Sequence, residues 1–298
     1  MNIQKALSHP RLCKALIGMS KEEFLALLPV FQQALYTTLA QKEDRKRKVG
    51  GGKKGKLPSV QDKLFFILLY IKVYPTFDVI AFLFDREGSR CCRSVRFLLP
   101  VLETALGRQL VLPKRKITSV EEFLELFPGV KDVFVDGTER RVEKPKNLKK
   151  RNKLYSGKKK GTTRKTVVVN DEKKRILSIT PTHSGRRHDK KIADKHNVFP
   201  SLPLGVTAWT DTGFQGAKAI HHNTVMPKKA TKHHPLTPQE KEENRIISGM
   251  RIVSEHAMAG IKRMRSASDV YRNKTKNMDD TLTLLSAGLW NFHLQQTQ

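Results

Sequence analysis

Two kinds of hydrophobic spacing divide this chain, and the change between them falls near Pro113. Before it, apolar residues recur at helical intervals; beyond it they gather in short β-branched runs. A chain patterned in this way folds as a helical part followed by an α/β part.

In the helical part, Ser20 and Glu23 have capping-box spacing, and Phe24, Leu25, Leu27 and Leu28 follow at helical intervals. Pro29 is expected to kink or end that helix, and residues 1–41 form an N-terminal helical segment. Residues 42–58 then form a flexible basic linker, since residues 42–56 hold eight basic residues, two acids and four glycines. A second helical unit, residues 59–112, opens at Ser59, carries Leu64, Ile67, Leu68 and Ile71 on one stripe, and stops at Pro75. Thr76 caps a short helix through Asp85. Gly88 permits a turn, and Ser89 caps a third helix with Val95, Leu98, Leu99 and Leu102 on its apolar face. This is a helix-turn-helix arrangement. Arg90, Arg93 and Arg96 lie opposite the apolar face, a stripe that serves equally as a major-groove reading surface or as a plain solvated face.

In the α/β part, residues 113–298, strands are predicted at 131–136, 166–169, 176–179, 206–210 and 223–227. A helix is predicted at 188–196, a loop at 228–245 and a long amphipathic helix from about Arg245 to Ser266. Residues 139–165 hold thirteen Lys or Arg against two acids, with Tyr155 and Gly157 interleaved, which suits a hairpin or loop following a phosphate backbone. The order of strands and helices matches a ribonuclease-H-like (retroviral-integrase-like) α/β domain with a mixed sheet, here preceded by an all-α helix-turn-helix domain.

Lys and Arg number 57 against 28 acids, a net charge of +29, and so large a surplus calls for a polyanion. Charge alone does not separate an enzyme from a packing protein. The longest apolar stretch, Leu64 to Ile71, is too short to span a bilayer, and the N-terminus lacks a signal core. A cytoplasmic, nucleoid-associated protein of a prokaryote is the expectation, with no membrane partner. Cys13, Cys91 and Cys92 provide neither a disulfide framework nor paired zinc ligands.

Three acids stand out by placement. Asp136 ends the first predicted strand, Asp211 ends a later one, and Glu255 lies on the long helix that follows. Phosphodiester cleavage needs an activated water and a stabilised leaving oxygen, and two hard divalent ions roughly 3.5–4 Å apart supply both, held by carboxylates. Each acid alone has a plain structural reading as a turn or surface residue, and Glu139, Asp171 and Asp189 compete with them.

The segments ValAspGlyThrGlu (135–139), TyrSerGlyLysLysLys (155–160), GlyArgArgHisAsp (185–189), AspThrGlyPheGlnGly (211–216) and ArgIleValSerGluHisAlaMetAlaGlyIleLys (251–262) resemble the DDE insertion-sequence transposases, and among them the PIF/Harbinger-like group. The resemblance runs from about residue 57 to the end. It implies that Asp136, Asp211 and Glu255 ligate two Mg2+ or Mn2+ ions, and that Arg251 and Lys262 contact DNA from the face of Glu255. Ser248 stands where the group has tyrosine. His188 and Asp189 match a family pair and read as structural or supporting residues.

The implied activity is metal-dependent cleavage at element ends followed by strand transfer into target DNA. The implied partner is double-stranded DNA, both terminal inverted repeats and target, bound by a homo-oligomer. Lys158, Lys159, Lys160 and Lys262 would hold backbone phosphates, and Arg90, Arg93 and Arg96 would read the terminal sequence. Two alternatives stand beside this: a non-catalytic sequence-specific DNA-binding protein, including a domesticated relative, and a ribonuclease-H-like nuclease without strand transfer. A histidine-metal nuclease built on His221, His222, His233 and His234 is a weaker third.

Overall fold

The computed structural model describes residues 1–41, 55–231 and 235–297. Residues 42–54 of the linker predicted at 42–58, together with His233 and His234, therefore lie outside the described residues. The chain forms two units. The first comprises Met1–Leu112, Ile261–Asp269 and Thr281–Gln298, and the second comprises Pro113–Gly260 and Val270–Asp280.

The first unit is helical. It contains α1 (Ile3–Ser8), α2 (Pro10–Ile17), α3 (Lys21–Ala40), α4 (Val60–Val73), α5 (Phe77–Phe84) and α6 (Gly88–Arg108). Ser20 and Glu23 form the expected capping box on α3, and Ser59 with Asp62 forms another on α4. Pro29 does not end α3, which runs on as one 20-residue helix. An interior proline costs about 3 kcal/mol, and the burial of Phe24, Leu27, Phe31, Ala34 and Leu35 on both sides of it offsets that cost. Thr76 caps α5 through the Val79 N–H, but Ser89 caps nothing: α6 begins one residue earlier, with Glu87 at its N-cap. Arg90, Arg93 and Arg96 are exposed, while Cys91, Val95, Leu98, Leu99 and Leu102 are buried. Arg90 pairs with Glu87 at 3.1 Å.

The second unit is built on a mixed sheet. It begins with α7 (Val120–Leu126), capped by Ser119. The strands are β1 (Asp132–Arg141), β2 (Tyr155–Ser156), β3 (Gly161–Asp171), β4 (Ile176–Ile179), β5 (His183–Ser184), β6 (Thr207–Thr210) and β7 (Thr224–Val225). Their order is β2-β3-β1-β6-β7, with β4 and β5 also paired to β3. The β1–β3 and β3–β4 pairs are antiparallel; β1–β6 and β6–β7 are parallel. Val133, Phe134 and Val135 are all buried, as are Val167, Val168 and Val169 on β3, where Val169 stands opposite Val135. Such unbroken apolar runs belong to strands covered on both faces. Each fully buried valine contributes about 1.5–3 kcal/mol. Val133, Val135, Val167 and Val169 pack with Ile192 and Ala193 of α9 (Asp189–Lys195) and with Phe199 and Phe214.

Several expectations are corrected here. Asp136 is not the end of a strand, because β1 continues through a polar tail to Arg141. Cross-strand pairing with β3 holds that tail extended, Glu139 standing opposite Lys165. The basic stretch is a hairpin only in part: β2 and the start of β3 pair antiparallel, but it also contains the end of β1 and α8 (Leu148–Leu154) capped by Asn147. The predicted loop at 228–245 includes most of α10 (Pro238–Met250), started by a Thr237–Glu240 capping box with Pro238 at N1. The single long helix from Arg245 is broken at Arg251, where α10 gives way to α11 (Ile252–Lys262), with Gly249 near the junction. The compact units do not follow the boundary at residue 113 throughout. The chain after Gly260 divides between the units: α12 (Arg265–Ser268) and most of α13 (Met278–Thr297) belong to the first.

Candidate active site

The site sits where the parallel strand pairing of β1 and β6 ends. The register couples Val135 with Thr210, so the next residue on each strand, Asp136 and Asp211, emerges beside the other. In open α/β sheets this carboxyl end of parallel strands is the usual place for a functional cleft. Each aspartate has one oxygen held by backbone: Asp136 Oδ1 accepts the Gly137 N–H at 2.7 Å, and Asp211 Oδ1 accepts the Gly213 N–H at 2.9 Å. Burial, reinforced by the negative charge of Asp211, pushes the Asp136 carboxyl above its ordinary value. Arg251, the Gly137 N–H and Lys158 pull the other way. Arg251 Nη2 stands 3.7 Å from Asp136 Oδ2.

Glu255 does not join the two aspartates. It is exposed on α11, one helical turn beyond Arg251, its N–H bonded to the Arg251 carbonyl at 3.2 Å. Among the described residues no three His, Cys, Asp or Glu side chains gather closely enough to hold a metal ion. Asp136 and Asp211 thus stand side by side, and Glu255 stands apart from them. Like charges repel, and the group that answers Asp136 is the Arg251 cation rather than a third carboxylate.

Behind the aspartates lies a buried charge cluster. Lys165 Nζ is 3.1 Å from Glu139 Oε1 and 3.3 Å from Asp189 Oδ1, with the three side chains 9%, 7% and 15% exposed. Thr163 Oγ1 donates to Glu139 Oε2 at 2.8 Å. Burial pushes the Glu139 carboxyl up, but hydrogen bonds from Ser156, Thr163 and Lys165 outweigh it and hold it below its ordinary value. A Cβ on Gly137 would lie 2.8 Å from Asp189 Cγ, and one on Gly185 would lie 2.0 Å from Thr163 Oγ1. Both positions need glycine because a side chain has no room. Sequence reading placed Asp189 as a supporting residue and missed Lys165, whose only signal is its register opposite Glu139.

An open cleft of about 740 Å³ runs past Asp211, and its walls include Lys158, Lys165, Arg186, Arg187, His188 and Asp189. Lys160 lines a second cleft, and Lys159 lines neither. Lys262 is exposed at the last turn of α11. The histidine alternative loses support: His221 is buried, its Nε2 bonded to the Val206 carbonyl at 2.8 Å, while His222 is exposed.

A polar, cation-rimmed cleft beside paired carboxylates is an arrangement that suits phosphodiester cleavage. Residues 135–291 match the DDE superfamily endonuclease family, and residues 55–108 match the helix-turn-helix of DDE superfamily endonuclease. The chain belongs to the DDE superfamily endonucleases. It is 30% identical over 295 residues, 99% of each chain, to the "Probable transposase for insertion sequence element IS702" of Microchaete diplosiphon. No solved structure matches it significantly. Membership of the superfamily carries a requirement for divalent metal ions, and the helix-turn-helix implies DNA binding. No helix among the described residues is long and apolar enough to cross a membrane.

Proposed function

We propose that this chain is a cut-and-paste transposase, cleaving DNA at the ends of a mobile element and joining the freed 3′ ends to target DNA. The observation that carries the reading is the placing of Asp136 beside Asp211 where the parallel pairing of β1 and β6 ends, beside a cleft rimmed with lysine and arginine. Oxygen donors of like charge, one of them raised by burial and by the charge of the other, suit a hard divalent cation. Asp136 and Asp211 would hold Mg2+ or Mn2+, two ions in all, with Glu255, which stands apart from them in this structure, as the third proposed ligand; the ions would activate the attacking oxygen and stabilise the leaving one. Arg251, already against Asp136, would meet the phosphate, and Lys158 with Arg186 and Arg187 would hold the backbone from the walls of the cleft. Arg90, Arg93 and Arg96 on α6 would read the terminal repeat, and a homo-oligomer would bring two ends together.

The test is nicking of a supercoiled plasmid carrying the element's ends. Asp136→Asn abolishes metal-dependent nicking and leaves affinity for the end duplex within about twofold, since an amide keeps the shape and loses the ligand charge. Equal cleavage by this variant rejects the assignment. Joined products in a strand-transfer assay separate a transposase from a nuclease of the same fold.

A further inference from the structure

Tyr155 belongs to the walls of two clefts at once. One is the cleft beside Asp211, and the other, of about 590 Å³, is lined by Arg141, Lys144, Arg151 and Lys160, with Glu143 as the single acid in its wall. Tyr155 is 48% exposed, while the next residue on the strand, Ser156, is buried. Strand alternation explains the outward direction. Tyr155 pairs with Thr162, and Ser156 with Gly161, so the ring projects from a hydrogen-bonded ladder rather than from a loop.

The neighbouring cation is also fixed. Arg141 Nη2 donates to the Lys159 carbonyl at 3.3 Å, and a Cβ on Gly161 would lie 2.9 Å from Arg141 Nη1, so glycine is what lets the guanidinium cross the strand there. An exposed ring set among cations is the combination that binds unpaired nucleic acid: the cations track phosphates and the ring stacks on a base. A duplex offers no base face to such a ring. The second cleft has the volume for a base with its sugar and phosphate, whereas a duplex is far wider.

We propose that the second cleft is a binding site for single-stranded DNA, in which a base unpaired next to the cleavage site stacks on Tyr155 while its backbone passes between Arg141, Lys144, Arg151 and Lys160. This rests on the transposase reading for its biological meaning, but its binding chemistry stands on the cleft alone. It gives the enzyme a means of holding one strand apart from its complement where cutting occurs.

Fluorescence anisotropy of the full chain with a labelled oligothymidylate, and with a duplex of equal length, tests the site. Tyr155→Ala weakens binding of the single strand roughly tenfold, in line with the loss of one stacked base, and leaves duplex affinity unchanged. Tyr155→Phe keeps the single-strand affinity. Arg141→Ala lowers the salt dependence of single-strand binding by roughly 0.7 in logarithmic slope, the share of one phosphate. Unchanged single-strand affinity in Tyr155→Ala, or an equal loss on the duplex, overturns the proposal; thermal unfolding of each variant shows whether the fold is kept. Metal-dependent nicking by the unaltered protein is scored separately. Nicking with binding indifferent to Tyr155 sinks this site alone, and Tyr155-dependent binding without nicking sinks the catalytic reading alone.

Discussion

Replacing Lys165 with methionine removes the cation that Glu139 and Asp189 share. All three side chains are buried to within 15% exposure, so water does little to screen the two carboxylates left behind. Removing one partner of a buried ion pair costs about 3–5 kcal/mol, a large part of the roughly 5–15 kcal/mol that holds a domain folded. The loss depends on pH, and its direction follows from Glu139. Its folded-state carboxyl is held below the ordinary value, so the cluster stabilises the fold above the unfolded-state pKa and that contribution fades as pH falls through the folded one. In Lys165→Met the unpaired carboxylates gain by protonation instead. The gap between the two proteins is therefore widest at about pH 7 and narrows towards about pH 4. Urea unfolding read from Trp209, in a Trp290→Phe background, measures both ends of this range. The double variant Glu139→Gln with Lys165→Met recovers part of the loss. A deficit under about 1 kcal/mol, or one equal at both pH values, refutes the claim that a buried ionic cluster supports the aspartates.

Two further outcomes follow from the same geometry. Gly137→Ala drives a methyl group into Asp189 and costs about 1–3 kcal/mol as an overpacked contact; urea unfolding and plasmid nicking should both fall, and an unaltered protein would show that Asp189 moves aside freely. Asp136→Asn, assayed without metal, should be more stable than the parent at neutral pH. Burial and Asp211 raise the Asp136 carboxyl, so ionising it opposes folding once pH passes the unfolded-state value, and the amide removes that opposition. The advantage disappears in acid, and thermal melts across pH that show no such crossover would contradict the placement.

Much of the architecture was legible because it is written in local patterns. The runs at 133–135 and 167–169 mark strands buried on both faces, and Ser20, Ser59 and Thr76 announce helices through their own hydroxyls. The signals of α10 were equally local, Thr237 with Glu240 and Pro238 at N1, yet its polarity disguised them: the helix has no buried residue. α1 and α2 fall within the helical segment expected at 1–41 without having been placed singly, and α7 and α13 were not anticipated, although Asn2 caps α1 and Ser119 caps α7.

The sequence by itself determined which residue types are available to the chemistry: aspartates that follow β-branched runs, glycines beside them, and a surplus of cations suited to DNA. Tertiary structure alone decided which of these meet. The parallel register of β1 and β6 brings Asp136 beside Asp211, and the antiparallel register of β1 and β3 sets Lys165 against Glu139. The break at Arg251 puts a guanidinium against Asp136 and leaves Glu255 a turn away. Strand register and helix breaks depend on contacts between residues far apart in the chain, and no local spacing encodes them.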